Sequence, residues 1–153
     1  MTRTVSAIAL TAAVSALLTF APAHDARSDA TDPDVIARQD VMKTIGAQTK
    51  ILGDMAKGDV AFDAAAAQAA ATTMAEAAAN IPTVFETEAD DAESKALAVI
   101  WANWDDFTTK GEALETAATN AATSITDAAS LGPAMGQIGG TCRACHQDYR
   151  ESN

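Results

Sequence analysis

Two thiols and an imidazole crowd into five positions near the end of this chain, in the run Cys142-Arg143-Ala144-Cys145-His146. They are both of its cysteines and one of its two histidines. On a helix, residues three apart lie on one face, so the two thiols would project side by side. Thiols so placed can add across the two vinyl groups on one edge of a porphyrin, forming thioethers. The adjoining imidazole can then turn under the iron as an axial ligand. C-x-x-C-H is the attachment signature of c-type haem. Gly139 lies one turn earlier, where a small residue would let a flat ring lie close.

Three other chemistries use paired thiols. A redox dithiol sits at the strand-to-helix junction of a βαβ unit, and this sequence has no strand pattern. Tetrahedral zinc wants four ligands, and the second histidine, His24, falls outside the helical part. A structural disulfide is permitted in an exported protein, but one helical turn closes too short a loop to stabilise much. One covalently held haem c is the chemistry these residues suit best.

A second group of candidates lies far upstream. Val35, Arg38, Met42, Ile45, Thr49, Leu52 and Ala56 recur on alternating three- and four-residue steps, the spacing of a stripe that faces a partner helix. Arg38 and Met42 are odd members of it. A thioether is a soft ligand for haem iron. An inward cation asks for an acid, and a haem propionate would supply one for the bidentate fork of Arg38. The plainer reading has its stem lining the core while its head reaches water.

Four helices must carry these residues. Asp32-Pro33 is an N-cap followed by proline at the first helical position, and the first helix runs to about Lys57 before Gly58. The second, about 63–80, is nearly all alanine with Met74 on its inner stripe, and Pro82 ends it. An acidic connection follows. The third, about 94–129, carries Leu97, Ile100, Trp104, Phe107, Gly111, Leu114, Ala118, Ala121 and Ile125 on one stripe. Gly132-Pro133 is expected to break the chain before a fourth helix that ends near Arg150, with Met135, Ile138, Cys142, Cys145 and Tyr149 facing inward. Met74 and Met135 are expected to fill the core, and Trp101 and Trp104 to pack in the core or against haem. Few aromatic and β-branched residues and much alanine fit an all-α chain. The expected fold is an antiparallel up-down four-helix bundle. Its alanine-rich core looks under-filled, and a large flat cofactor would fill the middle.

Residues 1–23 are read as a cleaved signal peptide: Arg3, an apolar run from Val5 to Phe20, and Ala21-Pro22-Ala23 as the cleavage pattern. The run is short for a span of about 20 residues. That leaves 24–153 as one haem domain, expected in the periplasm and off the membrane after cleavage. The net charge of −11 argues against nucleic acid, which needs clustered Lys and Arg. The same charge could steer docking to a basic redox partner.

The chain resembles the class II c-type cytochromes, meaning cytochrome c prime and its low-spin relatives. The likeness rests on "ARQDVMKTIG" in the first helix, "IWANWDDF" in the third and the ending "CRACHQDYR". The connection "PTVFETEADDAESK" departs from the family's usual sequence there. The resemblance implies thioethers at Cys142 and Cys145, His146 as proximal iron ligand, and Met42 over the distal face. It also implies Arg38 near a propionate, Arg150 near the proximal side, and a homodimer built on the first two helices. The expected function is a monohaem electron carrier rather than an enzyme. The alternative is a five-coordinate protein that binds small gases such as nitric oxide or carbon monoxide.

Overall fold

The computed structural model describes residues 29–152. The segment read as a signal peptide lies outside the described residues. The chain forms four long helices and two short ones: α1 (Pro33–Lys57), α2 (Ala64–Ala79), α3 (Ile81–Phe85), α4 (Val99–Ala102), α5 (Trp104–Ser124) and α6 (Ala128–Tyr149). The long helices make the expected bundle.

Local signals fix α1 at both ends. The Asp32 carboxylate accepts from the Asp34 and Val35 amides, and Pro33 occupies the first turn. Gly58 closes the helix at φ 80°, returning its amide to the Asp54 and Met55 carbonyls. Only glycine adopts that conformation without strain. Along α1, Val35, Arg38, Ile45 and Leu52 are buried, while Ala56 at the end of the stripe is exposed.

The alanines of α2 are the core of the bundle's closed side. Ala67, Ala70, Ala71, Met74 and Ala78 are buried, as are Leu114, Ala118 and Ala121 of α5. Small side chains let the two helices lie close, so little void is left between them. Gly111 of α5 lies as close to α3: a Cβ there would stand 3.4 Å from Ile81 Cγ2. A largely apolar cavity lies on the other side, between α1 and α6.

The third helix and the start of the fourth differ from the sequence expectation, and α5 ends at Ser124 rather than near 129. Residues 94–98 are not helical, and Asn103 interrupts the helix with φ −124° and ψ 44° before α5 begins. The fourth helix begins at Ala128, not after Gly132-Pro133. A capping box sets that start: Asp127 accepts from the Ser130 amide, and the Ser130 hydroxyl takes the Asp127 amide. Pro133 removes one internal hydrogen bond. Leu131, Ala134 and Ile138, buried on either side of it, hold the helix through that point.

The connection 86–98 is fastened at several places. The Asp91 carboxylate accepts from the Thr31 and Asp32 amides at 2.8 and 3.0 Å and from the Glu93 amide at 2.8 Å. Gln39 Nε2 donates to the Glu93 carbonyl at 3.2 Å. Further on, Ala96 and Arg150 form an antiparallel bridge, with Leu97 N donating to Tyr149 O at 3.0 Å and Glu151 N to Lys95 O at 2.9 Å. The connection thus joins the start of α1 to the end of α6.

Candidate haem site

A largely apolar cavity of about 690 Å³ lies between α1 and α6, within the range of cofactor sites. Helix α1 presents Arg38, Met42 and Gly46 to it, and α6 presents Cys142, Cys145 and His146. Ile100, Phe107 and Tyr149 close the inner wall, and Lys95, Ala96 and Arg150 form part of the rim. All six candidates from the sequence therefore border one space.

The end of the C-x-x-C-H helix is held against α5. Phe107 of α5 meets the Tyr149 ring edge-on at 5.3 Å, and Phe85 and Trp104 lie 5.0 and 5.7 Å from Phe107. The Tyr149 hydroxyl donates to Asp106 Oδ2 at 2.5 Å. Lys110 bridges Asp106 and Asp148, and its ammonium lies 5.5 Å from the Tyr149 ring centroid. Helix α6 is locked to α5 within one turn of His146.

Burial sets the protonation of this turn. It pushes the Cys142 thiol up, and the Cys145 thiol up to about 11. They are not paired in a disulfide, and before haem attachment both would be neutral thiols at pH 7. A redox dithiol needs the opposite, a lowered thiol pKa. Burial, then the nearby Arg150 charge, holds His146 below the ordinary imidazole value. It is a neutral ligand at pH 7, as iron ligation requires. Among the described residues no group of three or more His, Cys, Asp or Glu could hold a metal ion by itself. Two thiols, a neutral imidazole and an apolar slot with cations at its rim fit haem c.

Arg38 is 3% exposed. Its Nε donates to Val84 O at 3.2 Å, one terminal nitrogen to Ala89 O at 3.3 Å, and the other to Thr87 O. The guanidinium lies 5.2 Å from the Phe85 ring centroid and 5.0 Å from that of Trp101. Burial lowers its pKa, opposed by the charges of Asp34 and Asp32. The sequence showed an inward arginine. Its partners, carbonyls 46 to 51 residues away, carry no side-chain signal. Gly46 was also missed, although it follows Met42 by one turn. A Cβ there would meet no protein atom within 4 Å, and the position lines the cavity. Gly139, expected to make room for the ring, does not line the cavity.

A C-x-x-C-H turn on the last helix of a four-helix bundle, facing an apolar slot, defines a c-type haem protein of the bundle class. The family model of cytochrome c′ matches residues 34–150. A cytochrome c-556 of Agrobacterium tumefaciens (strain apple 185) is 40% identical over 115 residues, covering 74% of this chain and 91% of its own. The structure of oxidised R. palustris cytochrome c556 superposes with a TM-score of 0.73 at 30% identity, covering 80% of this chain and 99% of that one. A nitric oxide complex of a mutant cytochrome c prime from Alcaligenes xylosoxidans superposes at 0.67 with 26% identity, covering 78% and 94%. The chain belongs to the cytochrome c′ family. It is a haem c protein, an electron carrier or a gas binder.

Proposed function

We propose that the protein is a periplasmic monohaem electron carrier, exported through residues 1–23 and folded as one domain from residue 24 onward. Haem c supplies the one-electron ferric–ferrous couple. Cys142 and Cys145 carry the thioethers, and His146 holds the iron from the α6 side. Met42 offers its sulfur from α1, the ligand pair that raises potential and suits electron transfer. The observation that carries this reading is that Met42 and His146 border one cavity from facing helices. Arg38 has five N–H groups, three of them on carbonyls. The other two, with Arg150 at the rim, serve the propionates. No helix among the described residues is long and apolar enough to cross a membrane. The chain's net charge of −11 favours a basic-faced redox partner. A homodimer through α1 and α2 is a further part of the proposal.

The second reading is a five-coordinate site for a small gas. The nitric oxide complex of the Alcaligenes relative favours it. One spectrum decides between the two. Under the carrier reading, the ferric protein is low-spin with the weak far-red band of iron–sulfur ligation, and carbon monoxide binds slowly. Met42→Ala then turns it high-spin and opens it to gas. A high-spin wild type, unchanged in Met42→Ala, favours the gas reading. In either case acid-acetone should leave the colour on the polypeptide, and the Cys142→Ala, Cys145→Ala double variant should lose it.

A further inference from the structure

We infer that Arg38 is a positioning residue whose hydrogen bonds to the carbonyls of residues 84–89 hold the 86–98 connection as a wall of the cavity, and so govern ligand access beside Met42. The inference rests on the reading of this cavity as the haem site. A role confined to a propionate does not explain the geometry. The guanidinium is almost wholly buried. It binds three carbonyls of one stretch of chain and is flanked by two rings. Trp101, one of those rings, donates its Nε1–H to the Phe85 carbonyl at 2.8 Å, so cation and ring fasten the same turn.

What the fastener controls follows from the chain path. Beyond Ala89 the connection is tied by Asp91 to Thr31 and Asp32. It then supplies Glu93, Ser94, Lys95 and Ala96 to the cavity lining. It ends in the Ala96–Arg150 bridge at the foot of the C-x-x-C-H helix. Arg38 and Met42 sit one turn apart on α1, so the residue that anchors the wall belongs to the same face as the candidate sulfur ligand. A planar fork that reads three backbone carbonyls requires no side chain from the connection. Lysine keeps the charge, but its N–H bonds all leave one nitrogen and cannot span the three positions that Nε and the two terminal nitrogens of Arg38 occupy.

The test uses the haem-loaded protein. Glu86, Glu88 and Glu93 place cleavage sites for a glutamate-specific protease within the connection. Arg38→Lys should speed cleavage there about tenfold or more, the factor for one lost hydrogen bond to a charged group. In a Met42→Ala background, where sulfur displacement does not limit the rate, Arg38→Lys should also speed carbon monoxide association with the ferrous protein several-fold. Trp101→Phe keeps the ring and removes one bond to Phe85 O. It should move both readouts the same way by less, and it decides the matter if the arginine variant fails to fold. Cleavage unchanged in Arg38→Lys overturns the inference. So does faster cleavage with unchanged gas association, and so does a change confined to the pH dependence of the midpoint potential. Absence of covalent colour in the wild type overturns the haem reading instead, and the cleavage comparison alone then decides the clamp.

Discussion

Tyr149 is the chain's single tyrosine, so its ionisation can be followed without interference from another phenol. It stands three residues after His146, buried, with its hydroxyl on Asp106 Oδ2 at 2.5 Å. Ionising the phenol would place a second negative charge against that carboxylate. The hydrogen bond to Asp106, then burial, pushes its pKa up to about 12, and the Lys110 ammonium works in the opposite direction. An ordinary tyrosine titrates near 10, so at pH 11 about nine-tenths of a free phenol is ionised. With a pKa of about 12, only about a tenth of Tyr149 should be ionised at the same pH. The assay is ultraviolet difference absorbance after a rapid pH jump, with the denatured chain as reference. Asp106→Asn keeps an acceptor oxygen but removes the charge, and the midpoint should fall toward 10. The neutral phenol is the form that folding favours. Its contribution to stability is whole below about pH 10 and is lost as pH rises through about 12. A wild-type midpoint near 10, unmoved by Asp106→Asn, would refute the lock between α5 and α6.

Two further outcomes follow from the fold. Asp91 is held at a pKa of about 2 by the Glu93, Asp32 and Thr31 amides. Its contribution is therefore present above about pH 4 and lost as pH falls through about 2. Asp91→Asn should melt lower than the wild type at pH 6, and the gap should close on acidification; an equal gap at every pH would contradict this. Leu52 is fully buried, and Leu52→Ala should cost about 2–5 kcal/mol in denaturant unfolding; a loss under about 1 kcal/mol would mean that the site collapses around the missing atoms.

Much of the site could be read from spacing alone. The two thiols and His146 share a helix, and residues three and four apart on a helix share a face whatever surrounds it. Asp32-Pro33 and Gly58 act on their own backbone, so the ends of α1 were legible too. The stripe of α5 was equally plain, since Phe107, Gly111, Leu114, Ala118 and Ala121 are all buried. The start of α6 was not. Gly132-Pro133 is a strong local breaker, but one missing hydrogen bond weighs less than burying Leu131, Ala134 and Ile138 together with a capping box at Asp127.

What the amino acids determined by themselves was therefore the chemistry: a haem c turn, a helical frame around it, and a sulfur and a cation on the facing stripe. What only tertiary structure decided was how those parts meet. The partners of Arg38 are backbone carbonyls, which every residue type offers alike. The Ala96–Arg150 bridge joins segments far apart in the chain through backbone atoms only. The spacing of α1 from α6 across the cavity depends on how small residues let α2 and α5 close on the other side. Side-chain identity encodes which groups face inward. The distances between them come from the packing of the whole bundle, because each helix is placed by all of its neighbours at once.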